Sequence, residues 1–272
     1  MKNAKKIAII ATSLVFMACA MGSGSSGGNT IQGSVTIAPS GTPNSQVGSQ
    51  NSDSTNVEPA TSKLTQLNYE ITDTGFEYYT NSIGSVEYYG FVEITNTGDC
   101  DIFMKDCTFD IEDNDGHLLQ TDKFIYKGPD VIEPEEKGYF YNGLGSNIID
   151  SGVSFDNGVK LTPQITLKKA TGKPHRFPVS DVSYRDGGYT GIKVTGRVEN
   201  DTEKDHSLLS LLIIFRNAEG KVLAVDSSSI TDTIAAGNKG SFESSTMFGN
   251  GNLKIEDIAE VEVICEEDYY QF

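Results

Sequence analysis

The sequence has no tryptophan, and only three histidines and four cysteines among 272 residues. The missing tryptophan weighs against a carbohydrate-binding surface. His117, His175 and His206 fall in turns or linkers, and no H-x-x-x-H or Cys/His cluster is present, so a zinc site has no sequence support. No C-x-x-C occurs. There is no G-x-S-x-G, no Walker loop and no dinucleotide glycine pattern. Carboxylates are plentiful, but nothing marks two of them as a glycosidase-type pair. No apolar run is long enough to span a bilayer, which takes about 20 residues in a helix. Positive charge is also scarce, at 21 Lys and Arg against 38 Asp and Glu.

The one sustained apolar run, IAIIATSLVFMA at 7–18, follows the basic opening Met-Lys-Asn-Ala-Lys-Lys. Its length and flanks are those of a secretory signal. The run ends FMAC, with Ala18 directly before Cys19. This resembles the lipobox of bacterial lipoprotein signals, although Phe16 stands where that motif has Leu, Val or Ile. The resemblance implies a diacylglycerol on Cys19, which then becomes the mature N-terminus. Ordinary cleavage after Ala20 is the alternative, and it gives a secreted product. Residues 19–62 are rich in Gly, Ser, Asn and Thr, with Asp53 and Glu58 as their only charges. They lack the apolar period needed to offset the entropy of ordering. A linker of this kind spans roughly 35–40 Å. It is suited to holding a folded body away from a membrane surface.

Removal of the leader takes away Lys2, Lys5 and Lys6 and moves the formal charge from −17 to −20. Such a field repels nucleic acid and anionic lipid headgroups; it serves solubility through self-repulsion first, and recruitment of cations or a basic partner is the sharper alternative. With Cys19 lipidated, Cys100, Cys107 and Cys265 remain, an odd number. A Cys100–Cys107 bridge competes with Cys107 as a small core residue.

Past residue 63 the pattern becomes β: alternation, β-branched residues and tyrosines, broken by Gly, Asn and Asp turns. Self-comparison reveals a repeat of period 104. Asn96 falls on Asn200, and CTFDIEDNDGHLL at 107–119 falls on LLIIFRNAEGKVL at 211–223. Lys137-Gly138 matches Lys239-Gly240 after a small gap. The expected organisation is a leader at 1–18, the Cys19 linker at 19–62, and two homologous units at 63–170 and 173–272. Ile192, Val194, Gly196 and Val198 alternate with Lys193, Thr195, Arg197 and Glu199, giving one core face and one wet face. Turns at Asp115-Gly116 and Glu219-Gly220 complete the signature. The fold class is all-β, with two tandem immunoglobulin-like sandwiches.

The stretch 194–243 resembles the FxLYD domain of bacterial exported proteins. It carries V-x-G-x-V-x-N, a hydrophobic strand, an aromatic–polar turn with G-K-V, and a closing G-x-x-x-x-F. Phe215-Arg216 stands where that family often has Tyr-Asp. The first unit resembles it more faintly, through FVEITNTGD and FDIEDNDGHLL. The resemblance implies a β-sandwich of the cell envelope and no reaction.

Three features are candidate sites. DIEDNDGH at 110–117 places Asp113, Asp115 and Gly116 at the third, fifth and sixth positions of a calcium loop. The first position would be Ile111, which cannot ligate, and RNAEG in the second unit fits the same turn without the acidic cluster. A polar hairpin therefore explains both copies. The second feature is an inversion of polarity between the repeats. Cys107, Phe109 and Ile111 define an inward set, which maps onto Leu211, Ile213 and Phe215. The outward positions, polar in the first unit, become Leu208, Leu212 and Ile214 in the second. That stripe needs a cover: the domain's own loops, the C-terminal segment, the first domain, a protein partner or a second copy. The third is a set of tyrosine pairs, including Tyr78, Tyr88 and Tyr269, in which one ring of each pair is expected at a rim or a binding surface.

These readings point to a non-catalytic interaction module, lipid-anchored at the outer face of the cytoplasmic membrane or on the cell surface, that meets an envelope or surface protein. A cation- or ligand-binding accessory of a transport or sensing system is the second reading, and an envelope hydrolase the third.

Overall fold

The computed structural model describes residues 67–80, 85–143, 153, 155, 158–188, 191–246 and 253–268. The leader, Cys19, the linker and Tyr269 lie outside the described residues. The fold is all-β. The first unit contributes β1 (Tyr69–Thr80), β2 (Val86–Asn96), β3 (Ile102–Glu112), β4 (Leu118–Lys123), β5 (Tyr126–Gly128), β6 (Val131–Ile132), β7 (Lys137–Tyr141) and β8 (Lys160–Lys169). The second contributes β9 (Arg176–Phe177), β10 (Val179–Asp186), β11 (Ile192–Glu199), β12 (Leu209–Arg216), β13 (Val222–Ile230), β14 (Lys239–Thr246) and β15 (Glu260–Glu266).

Each unit is a pair of antiparallel sheets. In the first, β1-β2-β7-β5 packs on a sheet built around β3, with β4 and β6 on one side and β8 on the other. In the second, β10-β11-β14 packs on β13-β12-β15-β9. Side-chain alternation sets each face, as expected of strands. Ile192, Val194 and Val198 of β11 are buried, with Lys193 and Thr195 on the other side. On β3, a register shift between Met104 and Asp106 turns both Lys105 and Asp106 outward, and strict alternation then buries Cys107, Phe109 and Ile111.

The repeat is visible in hydrogen bonds as well as in sequence. Asn96, wholly buried, donates through Nδ2 to the carbonyls of Cys100 (2.9 Å) and Ile132 (3.0 Å), and its Oδ1 accepts from the Gly98 amide at 3.0 Å. Asn200, also wholly buried, donates to Lys204 (2.7 Å) and Ile234 (2.8 Å), and accepts from the Thr202 amide at 3.1 Å. The near partners are offset as the asparagines are, and the far partners by two residues fewer. The gap therefore falls between β3 and β7 in the first unit and between β12 and β14 in the second. One amide side chain thus ties the end of a strand both to the turn that follows it and to a short paired segment, β6 in the first unit and the Ile234 bridge in the second.

Removing this tie takes one donor from two carbonyls, one buried and one partly buried, in each unit. Asn96→Ala and Asn200→Ala are each expected to cost about 2–4 kcal/mol in denaturant unfolding. A loss below about 1 kcal/mol at either position would show that these corners do not hold their units together.

Candidate functional site

The apolar stripe of β12 leads directly to the main structural feature. Leu211, Ile213 and Phe215 face the second unit's own core, as alternation requires. Leu212 and Ile214 face the other way and are nevertheless buried. Their cover is the first unit. Tyr89 and Phe91 of β2 and Tyr139 and Tyr141 of β7 form one continuous apolar cluster with Leu212, Ile214 and Val225. Gly128 of β5 lies so close that a Cβ there would sit 3.1 Å from Leu212 Cδ1. The molecule is consequently four sheets deep, with β2's sheet and β12's sheet both buried on two faces.

The corresponding surfaces on the opposite repeats are wet. At the offset of 104, Tyr89 and Phe91 correspond to Lys193 and Thr195, while Leu212 and Ile214 correspond to Thr108 and Asp110. Each repeat has made apolar the outer face that its partner keeps polar, and those two faces meet. Of the candidate binding residues, Leu212 and Ile214 are therefore corrected to internal packing between the units. Tyr78 and Tyr88 are corrected as well. Tyr78 packs on Phe155 at 4.5 Å, and Tyr88 is stacked on Phe76 at 5.3 Å with its hydroxyl on Asp122. Burial, reinforced by that carboxylate, raises the Tyr88 phenol well above its ordinary range. In a four-layer body, the far side of a strand need not be solvent. Leu208 alone of the stripe stays on the surface, 63% exposed, with φ of 57°.

A charged cluster sits at one end of the junction. Glu93 and Arg216 are both buried, and Arg216 Nη2 donates to Glu93 Oε2 at 2.9 Å and to the Tyr139 hydroxyl at 2.5 Å. Lys137 Nζ and Thr72 Oγ1 each reach Glu93 Oε1 at 2.8 Å. Arg216 Nη1 is taken by the Gly220 carbonyl at 3.1 Å. Burial by itself pushes the Glu93 carboxyl up, but the hydrogen bonds from Lys137, Thr72 and Arg216 outweigh it and hold the group below its ordinary value. A buried pair of this kind adds orientation more than net stability, because desolvation consumes most of the Coulombic gain. Elsewhere on the junction the Tyr89 hydroxyl donates to the Val225 carbonyl at 3.0 Å and accepts from its amide at 2.6 Å, which closes the free edge of β13. Asp73 accepts from the Val222 amide at 2.9 Å.

The Asp113 turn is the remaining candidate. Asp113 Oδ1 accepts from the amides of Asp115 (2.9 Å) and His117 (2.8 Å), and Oδ2 meets His117 Nδ1 at 2.9 Å. That contact raises the His117 pKa. Ligand atoms of Asp113, Asp115 and His117 lie within 4.8 Å of one another. In the second unit Asn217 Oδ1 accepts from Glu219 (3.1 Å) and Lys221 (2.9 Å) with the same spacing. Gly116 and Gly220 close the two turns at φ of 83° and 78°. A neutral amide makes the turn as well as a carboxylate does, so the Asp113 geometry is accounted for by the hairpin. Cys107 and Cys265 are buried thiols, each pushed up to about 12 by burial, and Cys100 is not bridged to Cys107.

No protein-family model matches the chain, and no curated protein matches it.

The junction makes a direct prediction for stability. Leu212→Ala and Ile214→Ala should each cost about 2–5 kcal/mol, whereas Leu208→Ala should stay within about 0.5 kcal/mol. Glu93 adds a pH dependence. Its contribution is complete above its ordinary value of 4.5 and is lost as the pH falls through its lowered value. Equal effects at 208, 212 and 214 in denaturant unfolding would show that the first unit does not cover the stripe.

Proposed function

We propose that this chain is a non-catalytic interaction module of the bacterial cell envelope. It is held to the membrane by a lipid on Cys19 and carries two fused sandwiches of the FxLYD kind beyond the Gly- and Ser-rich segment 19–62. The observation that carries the reading is Leu208. An exposed leucine on left-handed backbone is unfavourable twice over: the conformation costs about 1–2 kcal/mol, and the side chain gains nothing from burial. Such a residue is better explained by something outside the fold than by the fold itself. The buried charged and phenolic groups have structural partners, which supports a non-catalytic role. Glu93 and Arg216 join the units, the Tyr88 hydroxyl is held by Asp122 in the first unit, and Glu266 accepts from the Asp130 amide. Arg216 stands at the family's usual Asp position because here it has Glu93 of the preceding unit to meet. The net charge of −20 left after leader removal favours a protein partner with a basic surface over nucleic acid or anionic lipid.

Two measurements in the producing cell test this. Fatty-acid labelling should mark the wild type and vanish in Cys19→Ala, which should leave the membrane fraction. A photo-crosslinking residue at 208 should give a discrete protein adduct, and one at Ser241, exposed on the far sheet, should give none. Persistent labelling of Cys19→Ala would overturn the anchor. Indistinguishable results at 208 and 241 would overturn the docking role of Leu208.

A further inference from the structure

The two units are also joined along a polar seam far from Glu93 in sequence. Segment 127–136 of the first unit lies against β9 and β15 of the second. Asp130 donates its amide to Glu266 Oε1 at 2.8 Å. Arg176 Nη1 reaches Glu136 Oε1 at 2.7 Å, and Nη2 donates to the Val131 carbonyl at 2.5 Å. Lys173, in the connection between the units, pairs with Glu133 at 2.5 Å. Glu266 lies at the centre of this seam and is only 8% exposed. Among the described residues its Oε2 has no hydrogen-bond partner, and the cation paired with it, Arg176 Nε, is 3.7 Å away.

Both cations in reach of Glu266 have nearer carboxylates. Arg176 is engaged by Glu136, and Lys127 is ion-paired with Asp130 while its ammonium lies over the Phe103 ring. Asp130 itself brings a second negative charge towards Glu266. Beyond Glu266 along the chain, Glu267 accepts from the His175 amide and lies 3.9 Å from His206 Nδ1, and Asp268 accepts from Ser210. Next to it along β15, the Cys265 thiol is held protonated by burial and by Glu266. Among the described residues Glu266 Oε2 has only the long contact with Arg176, which it shares with the nearer Glu136, so a proton is the economical way to bury it.

We propose that Glu266 is a proton-operated latch between the two units: protonated, it seats segment 127–136 on β15, and ionised, it loosens that seat. Burial, the largest influence, pushes its carboxyl from 4.5 up to about 7, with the Asp130 charge acting in the same direction. The folded form thus holds a proton that the unfolded chain releases. The stabilisation is complete below 4.5 and is lost as the pH rises through about 7. An extracytoplasmic protein meets that range directly, since its surroundings are not buffered by the cell. This inference does not depend on Leu208 or on any partner.

The test compares the full-length wild type with Glu266→Gln from pH 5 to 8.5. The amide keeps the carbonyl that accepts from Asp130 and removes the titration. Hydrogen exchange at the Asp130 amide, corrected for its intrinsic rate, should lose about tenfold protection in the wild type across this range and stay level in the variant. The wild-type melting temperature should fall by roughly 5 °C relative to the variant over the same interval. Parallel profiles for the two proteins would overturn the proposal. Titration of the wild-type Glu266 carboxyl resonance decides the matter even if the variant does not fold. A midpoint near 7 that coincides with opening at Asp130 supports the latch, and a midpoint near 4.5 contradicts it.

Discussion

The contact between the tyrosine face of the first unit and the Leu212–Ile214 stripe of the second determines the rest of the structure. A sandwich needs one apolar face per sheet, and the surplus apolar faces here have only each other to meet. Tyr89, Phe91, Tyr139 and Tyr141 would be a large exposed patch if the first unit stood alone. Leu212, Ile214 and Val225 would be one on the second. Joined, they bury both patches and place Arg216 against Glu93. The contact also seats the seam around Glu266. Large rings and aliphatic branches supply the area, and the charged cluster supplies the orientation.

This arrangement explains how two copies of one unit came to differ. The shared features are those that each sandwich needs by itself: the asparagine corner, the inward set of β3 and β12, and the Asx turn at Asp113 and Asn217. The differences concentrate on the faces that meet. Phe215-Arg216 keeps the aromatic residue of its turn in the core while the next side chain crosses to the other unit. Lys193, Thr195 and Asp110 stay outward on the terminal sheets and are polar, beside the exposed Leu118 of β4.

Much of the fold was legible because period-two alternation and a repeat of fixed offset are local signals. The inversion between Thr108-Asp110 and Leu212-Ile214 showed that a face needed covering. The identity of the cover was also present in the sequence, because the same offset sets Tyr89 and Phe91 on Lys193 and Thr195. That comparison identifies the partner face, whereas reading tyrosine pairs as rim residues assumes that every strand has a wet side. Tyr88 and Tyr89 point to opposite faces, and both faces are core. Pairing Glu93 with Arg216 was beyond sequence reasoning, since the two are separated by 123 residues and no local pattern links them. Glu266 was hidden for a related reason. Its burial comes from the other unit, not from its own strand.

A body of four stacked sheets differs mechanically from two beads on a string. It presents its surfaces at fixed relative positions, so a partner docking near Leu208 would meet one rigid object. The most direct measurement of that coherence is nitrogen-15 relaxation of the backbone in both units. The account predicts one common rotational correlation time for residues of β3 and β11, at opposite ends of the stack. Two shorter, independent correlation times would show that the units tumble separately and that the buried junction does not exist.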